Sequence, residues 1–136
     1  MNSALEALLL TMRALRDKNS GCPWDLQQNF RSLAPYAIEE AYEVADAIER
    51  GNLEDIKDEL GDLLFQVVFQ AQLASELGAF DFSDVADAIN QEMLRRHPHV
   101  FAGAQIADAE AQTEAWERLK AAEREQKSGV DRSALA

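Results

Sequence analysis

Two pairs of acidic residues on consecutive predicted helices are the strongest candidates for chemistry in this chain. Glu40 and Glu43 form the first pair, and Glu59 and Asp62 form the second. Residues three apart lie on the same face of a helix, one turn apart, so each pair presents two neighbouring carboxylates. Carboxylates without thiolate or imidazole neighbours suit hard cations that take oxygen ligands. The pattern therefore predicts a Mg²⁺ site, with Mn²⁺ as the alternative ion.

The residues between the two pairs are typical of a chain reversal. Gly51 is a typical helix C-terminal residue and Asn52 a typical N-cap, so we expect two antiparallel helices with the acidic pairs face to face. An EExxE motif alone is more typical of a solvated helix face. The prediction of a metal site therefore depends on both pairs together.

Asp62 lies near the start of an almost continuous apolar run, from Leu60 to Leu73. A helix that is apolar nearly all round is typical of a buried element, so we expect the Asp62 side chain to point into a region of low dielectric constant. An ionised carboxylate in such a region needs a cation, a proton or a metal.

Composition limits the possible classes of protein. The 136 residues are 47% hydrophobic, which predicts one globular domain, and the net charge of −12 argues against a nucleic-acid partner. Gln66, Gln70 and Gln72 interrupt the longest apolar run, so we expect no membrane insertion. The single Cys22 and the lack of a recognisable signal peptide predict a cytoplasmic protein.

Hydrophobic spacing predicts an all-α fold of about five helices, without strands. Residues 1–127 should form a single domain, and residues 128–136 a flexible tail. Ser32 is the predicted N-cap of the second helix, with Pro35 in its first turn. The predicted helices cover about residues 3–18, 33–50, 53–77, 82–96 or 84–96 and 108–125, where either Asp81 or Ser83 caps the fourth helix, and residues 19–29 are predicted to form a loop.

Apolar spacing also predicts which helix faces are buried. On the second helix, the expected buried stripe consists of Ile38, Ala41, Ala45 and Ile48. The third helix has apolar residues on more faces than one antiparallel neighbour can cover. It is therefore either the contact surface of a dimer or the central helix of one bundle.

Four motifs follow one another along the chain. They are Gly21-Cys22-Pro23-Trp24-Asp25, Glu39-Glu40-Ala41-Tyr42-Glu43, Asp58-Glu59-Leu60-Gly61-Asp62 and Arg95-Arg96-His97-Pro98-His99-Val100-Phe101. In this order they resemble the motifs of the MazG nucleoside triphosphate pyrophosphohydrolases. The resemblance extends from about Leu5 to Lys120, and it is strongest to the N-terminal half of the two-domain members.

The resemblance implies an all-α bundle that forms dimers, or dimers of dimers, by helix packing. It implies hydrolysis of nucleoside triphosphates to the monophosphate and pyrophosphate, by metal-assisted attack of water on the α-phosphorus. Glu40, Glu43, Glu59 and Asp62 would hold Mg²⁺, and Glu39 would bind a second ion or orient the water.

The expected substrate contacts lie partly in the C-terminal part of the chain. Arg95 and Arg96 carry planar donor groups suited to phosphate oxygens. Trp116 and Lys120, one turn apart, form a pair that would stack on a base and contact its phosphates. Trp24 either closes the nucleotide pocket or fills the helical bundle. His97 and His99 are expected to be turn or packing residues rather than metal ligands.

Three alternatives remain open. The same site would suit a dUTP or dCTP pyrophosphatase, or a phosphoribosyl-ATP pyrophosphohydrolase, of narrow specificity. A non-catalytic nucleotide-sensing dimer would retain the carboxylates only as structural groups. Because stacking tolerates any base, we expect broad specificity for NTPs and dNTPs and a role in nucleotide-pool house-cleaning.

Overall fold

The computed structural model describes residues 3–103 and 108–127, and within these ranges it contains helices and turns but no strand. The all-α prediction is therefore confirmed. Five long helices correspond to the five predicted ones, and two single-turn helices lie in segments predicted as loop or turn. The helices are α1 (Ser3–Leu15), α2 (Pro23–Leu26), α3 (Phe30–Arg50), α4 (Leu53–Glu76), α5 (Phe82–Arg96), α6 (Pro98–Phe101) and α7 (Ala109–Lys127).

Helix α3 begins earlier than the sequence predicts, because Asn29 rather than Ser32 is its N-cap. The Asn29 side chain accepts a hydrogen bond from the Ser32 backbone N–H at 2.9 Å, and the Ser32 hydroxyl accepts one from the Asn29 N–H at 2.9 Å. This capping box satisfies two N–H groups that the first turn leaves free. Pro35 consequently lies inside α3 instead of in its first turn.

The predicted reversal between α3 and α4 is confirmed. Gly51 has a φ of 74°, in the left-handed region that suits glycine, and its N–H donates to the carbonyls of Ala47 and Ile48. The Asn52 side chain then caps α4 by accepting hydrogen bonds from the N–H groups of Glu54 and Asp55. The two helices pack against each other as a hairpin.

The chain divides into two compact units, Met1–Phe82 and Ser83–Ala136. The prediction of one domain over residues 1–127 stays a prediction, and the predicted tail at 128–136 lies outside the described residues. The first unit has an apolar core drawn from α1, α3 and α4, and its buried members are Met12, Leu33, Val68, Phe69 and Leu73.

The predicted buried stripe on α3 is wrong. Ile38 and Ile48 are 60% and 57% exposed, and Ala41 and Ala45 are also exposed. Helix α4 covers the neighbouring row of α3 instead, which is displaced by about 100° around the helix axis. The covered row consists of Leu33, Ala37, Glu40, Val44 and Ala47.

Helix α4 is buried only in its second half, so the prediction of a fully buried run is also wrong. Leu60, Leu64 and Val67 are exposed, whereas Val68 and Phe69 are fully buried. The core reaches α4 only beyond its midpoint, because α1 contributes Met12 there. Among the helices that the structure describes, none combines the length and the apolar character needed to cross a membrane.

In the second unit, ring packing joins α6 to α7. The imidazole of His97 lies 5.2 Å from the indole of Trp116 and 5.6 Å from the imidazole of His99, measured between ring centroids. His97 Nδ1 also lies 2.7 Å from the Met93 carbonyl oxygen. Both histidines therefore occupy the turn and packing positions that the sequence predicts.

Candidate functional site

Three of the predicted carboxylates meet between α3 and α4. Glu40 comes from α3, and Glu59 and Asp62 come from α4. One carboxylate oxygen from each lies within 4.8 Å of the other two. The hairpin places these groups together because Gly51 and Asn52 reverse the chain between them. We call these three residues the acidic cluster.

The acidic cluster has an uncompensated negative charge. None of the ion pairs among the described residues involves its members, and Glu40 Oε2 is buried without a hydrogen-bond partner. Burial raises the pKa of Glu40, and the charges of Asp62 and Glu59 raise it further. Burial also raises the pKa of Glu59, and the charges of Asp62 and Glu43 raise it further, against a smaller lowering effect of the Arg50 charge. A buried oxygen without a donor, among like charges, is the electrostatic setting in which a divalent cation fits.

Asp62 is exposed, which corrects the prediction that it points into a region of low dielectric constant. The reason is that Leu60 and Leu64, the apolar residues on either side of it, are themselves exposed in the first half of α4. Glu40 and Glu59 are the half-buried members of the acidic cluster.

Glu43 and Glu39 lie beside the acidic cluster but are not among the three residues that it brings together. Both are exposed on α3. The charges of Glu39 and Glu43 nevertheless contribute to the raised pKa of Glu40, which places them within electrostatic range. Glu40 differs from them because it lies on the row of α3 that α4 covers.

Trp24 lies in α2 and is 47% exposed, so the alternative in which it fills the bundle is wrong. Its ring contacts Tyr36 of α3 edge to face, with 5.7 Å between centroids. The loop around it is held by a residue that sequence reasoning missed. Arg16 donates to the Asp25 carbonyl at 2.6 Å and forms an ion pair with Glu76 at the end of α4.

The other predicted substrate contacts lie in the second unit, at the end of α5 and along one face of α7. Lys120 Nζ lies 5.6 Å from the centroid of the Trp116 ring, which is a cation–π contact. Arg95 and Arg96 both contact Glu123, which lies one turn beyond Lys120. The structure therefore places all four predicted residues around α7.

Two further residues of this region were missed by sequence reasoning. Arg96 Nη2 lies 2.6 Å from a carboxylate oxygen of Glu92 and 2.6 Å from one of Glu123. The spacing of Glu92 and Arg96, four residues apart on one helix, is a readable signal of an ion pair. Glu123 follows 27 residues after Arg96, and no local pattern connects them.

Comparison with known proteins agrees with these motifs. A profile of the MazG nucleotide pyrophosphohydrolase domain matches residues 28–101. A protein of Escherichia coli strain K12 named "Nucleoside triphosphate pyrophosphohydrolase" is 51% identical over 124 residues, which cover 91% of this chain and 47% of the relative. Thermotoga maritima has a "Nucleoside triphosphate pyrophosphohydrolase/pyrophosphatase MazG" that is 46% identical over 123 residues, which cover 90% of this chain and 46% of the relative.

A solved structure also matches, the "mazG-related protein from Thermotoga maritima". Its TM-score is 0.66 at 26% sequence identity, and the match covers 85% of this chain and 98% of that one. The present chain spans about half the length of the curated relatives described above. On the profile match, supported by these likenesses, the chain belongs to the MazG nucleotide pyrophosphohydrolase domain family.

Proposed function

We propose that this protein hydrolyses nucleoside triphosphates, NTPs and dNTPs alike, to the monophosphate and pyrophosphate, with Mg²⁺ or Mn²⁺ held by the acidic cluster. The observation that carries the proposal is the buried, unpartnered Oε2 of Glu40 beside Glu59 and Asp62. The names of the relatives from Escherichia coli and Thermotoga maritima support the reaction.

The carboxylates have distinct proposed roles. Glu40, Glu59 and Asp62 hold the metal, and Glu43 completes the set from its neighbouring exposed position on α3. Glu39 lies close enough to influence Glu40 and orients the attacking water or takes part in binding a second ion. A bound divalent cation supplies charge neutralisation for the pyrophosphate group and lowers the pKa of a coordinated water.

The proposed nucleotide contacts are two aromatic side chains and three cationic ones. Trp116 stacks on the base, and Lys120 and the arginine pair Arg95 and Arg96 supply the positive charge beside the phosphates, with Lys120 and the exposed Arg95 in direct contact. Trp24, exposed on α2, is a further proposed nucleotide contact. Stacking discriminates weakly between bases, so we propose broad specificity and a house-cleaning role in the nucleotide pool.

We further propose that the chain forms a homodimer, or a dimer of dimers, through α3 and the first half of α4. Support comes from the stripe Ile38, Ala41, Ala45 and Ile48, which lies along one face of α3 and is exposed in the single chain. An exposed apolar stripe of this length is typical of an interface. Light scattering of the wild type and of Ile48→Asp tests the proposal, and a monomeric wild type would contradict it.

A cytoplasmic location without a nucleic-acid partner completes the proposal. The free Cys22 supports the location, and the net charge of −12 is unfavourable for contact with nucleic-acid phosphates.

Pyrophosphate release from a panel of NTPs and dNTPs tests the reaction, with Mg²⁺, with Mn²⁺ and with a chelator. We expect metal-dependent turnover of several substrates, lost in Asp62→Asn and retained in Asp58→Asn, which neutralises an exposed aspartate of α4 outside the acidic cluster. Turnover of dUTP or dCTP alone would replace broad specificity with the narrow alternative. A folded wild type without turnover would favour a nucleotide-sensing module.

A further inference from the structure

The two arginines at the end of α5 differ in how much of their binding capacity is already used. The Arg96 side chain is only 9% exposed, and its Nη2 is shared by Glu92 and Glu123 at 2.6 Å each. Its Nε is buried and has no partner. Arg96 therefore offers little surface to a ligand.

Arg95 is in the opposite situation. Its side chain is 58% exposed, and within residues 3–103 and 108–127 its ion pair is with Glu123 alone, from Nη2 at 3.3 Å. A guanidinium has five N–H donors in a planar fork, so most donors of Arg95 remain available to an anion. Glu123 contacts both arginines, one with each carboxylate oxygen.

Glu123 also lies on the face of α7 that carries the proposed nucleotide contacts. It follows Lys120 by three residues and Trp116 by seven, a spacing that places all three side chains along one face of a helix. Through Glu123, the guanidinium of Arg95 is attached to the same face that holds the Trp116–Lys120 pair.

We infer that Glu123 is a positioning residue that holds Arg95 beside Trp116 and Lys120, so that Arg95 contacts the triphosphate while Arg96 anchors α5 to α7. This inference rests on the proposed function and divides the roles of the arginine pair.

A carboxylate beside a phosphate site is unfavourable unless its charge is neutralised. Here the hydrogen bond from Arg96 lowers the pKa of Glu123, and the hydrogen bond from Arg95 lowers it further, against the opposing effect of burial. Glu123 therefore stays ionised and is neutralised by two cations. Removal of the Glu123 carboxylate leaves Arg95 without the contact that orients it. We expect the resulting loss of nucleotide affinity to exceed the gain in affinity from removing a negative charge that is already balanced.

The test compares Glu123→Gln with Glu92→Gln. Glu92 is the matched control because it contacts the same Arg96 atom at the same distance but forms no ion pair with Arg95. We expect Glu123→Gln to raise KM for the nucleotide about tenfold, the scale of one lost charge-assisted hydrogen bond, with kcat within about twofold of wild type. Both variants should lower the unfolding midpoint by similar amounts, but Glu92→Gln should leave KM unchanged.

Arg95→Ala provides a second variant, since this exposed side chain can be truncated while Arg96 keeps both carboxylates. It should raise KM at least as much as Glu123→Gln, and the double variant should have the KM of Arg95→Ala, because Glu123 acts through Arg95. A wild-type KM in Glu123→Gln, an equal increase in Glu92→Gln, or additive effects in the double variant would each overturn the inference.

Failure of the proposed function would be recognised separately, as a folded wild type that releases no pyrophosphate. Calorimetric binding of inorganic tripolyphosphate with Mg²⁺ would then still compare Glu123→Gln with Glu92→Gln. Weaker binding in Glu123→Gln alone supports the positioning role, and equal binding in the two variants overturns it.

Discussion

The acidic cluster of the first unit and the arginines of the second unit are both groups of charged side chains, but only the second group is neutralised from within. Arg95 and Arg96 are paired with Glu92 and Glu123. In the acidic cluster, by contrast, Glu40, Glu59 and Asp62 face one another without a paired cation, and burial raises the pKa of the first two.

The difference shows how charged side chains that bind a ligand can be distinguished from charged side chains that stabilise the fold. A charge that the fold neutralises stabilises the fold, whereas a charge that the fold leaves unbalanced costs free energy until a ligand balances it. Under this criterion we expect the acidic cluster to bind a cation and Arg96 to be part of the scaffold. The following predictions test the criterion, beginning with the largest effect.

Glu40→Gln should have opposite effects on catalysis and on stability. We expect pyrophosphate release to fall at least about a hundredfold because a metal ligand is lost. In the absence of metal, the unfolding midpoint should rise, because a neutral amide costs less free energy to bury than an unpaired carboxylate and does not repel Glu59 and Asp62. Glu49→Gln, at an exposed position of α3, should change neither property. Loss of stability in metal-free Glu40→Gln would contradict the view that this charge is unbalanced.

Mg²⁺ should stabilise the wild type through the acidic cluster. Saturation at a hundred times the dissociation constant corresponds to about 2.7 kcal/mol of unfolding free energy. The stabilisation should decline as the pH falls towards the raised pKa of Glu40, because protons compete with the ion for the same oxygen. Thermal unfolding with Mg²⁺ and with a chelator, at several pH values, measures both effects. An equal Mg²⁺ response in Glu40→Gln would exclude this site.

Arg96→Ala should destabilise the fold by about 1.5–3 kcal/mol, because it removes charge-assisted hydrogen bonds and leaves two carboxylates facing each other. Denaturant unfolding measures the change. Arg95→Ala is the control and should cost much less, since the Arg95 side chain is mostly exposed. Equal losses of unfolding free energy in the two variants would contradict the division of roles, in which Arg96 anchors the fold and Arg95 contacts the ligand.

Arg16→Ala extends the test to a neutralised pair of the first unit. Because Glu76 is partly exposed, we expect a loss of about 1–2 kcal/mol after solvent screening. The hydrogen bond from Arg16 lowers the pKa of Glu76 below its ordinary 4.5, so this contribution is complete above pH 4.5 and is lost as the pH falls through the lowered pKa. Unfolding of wild type and variant above and well below pH 4.5 should therefore show a difference that narrows in acid.

Lys57→Ala is the control for Arg16→Ala and has the smallest expected effect. Lys57 pairs with Glu54 on the exposed surface of α4, where such pairs are worth about 0.3–0.5 kcal/mol. If Lys57→Ala lowered the free energy of unfolding as much as Arg16→Ala, burial would not determine how much an ion pair stabilises this fold.

Local signals in the sequence were enough to predict the helices and the meeting of Glu40 with Glu59 and Asp62. Gly51 and Asn52 mark helix ends by their own chemistry, and three-residue spacing aligns carboxylates on any helix. The start of α3 was missed because Asn29 and Ser32 are both good N-caps, and only the capping box decides between them.

Features that depend on tertiary packing could not be read in the same way. Ile38 and Ile48 have the right spacing for a buried stripe, but the neighbouring row of α3 contacts α4, and apolar spacing alone does not distinguish an internal face from an intersubunit one. The exposure of Asp62 and the pairing of Arg96 with Glu123 depend on contacts between distant segments, for which the sequence has no local signal.

The turn at Gly51 and Asn52 sets the angular position of the acidic cluster's α4 members around the helix axis, although it lies about 12–17 Å along the helices from the acidic cluster. One residue inserted into the turn and taken up by the first turn of α4 would shift the sequence of α4 by one position and rotate Glu59 and Asp62 by about 100° away from Glu40. Exposed two-residue turns usually tolerate changes in length. In this protein the length of the turn decides whether the three carboxylates meet. We therefore expect the turn length to be constrained as strictly as the identities of the proposed metal ligands.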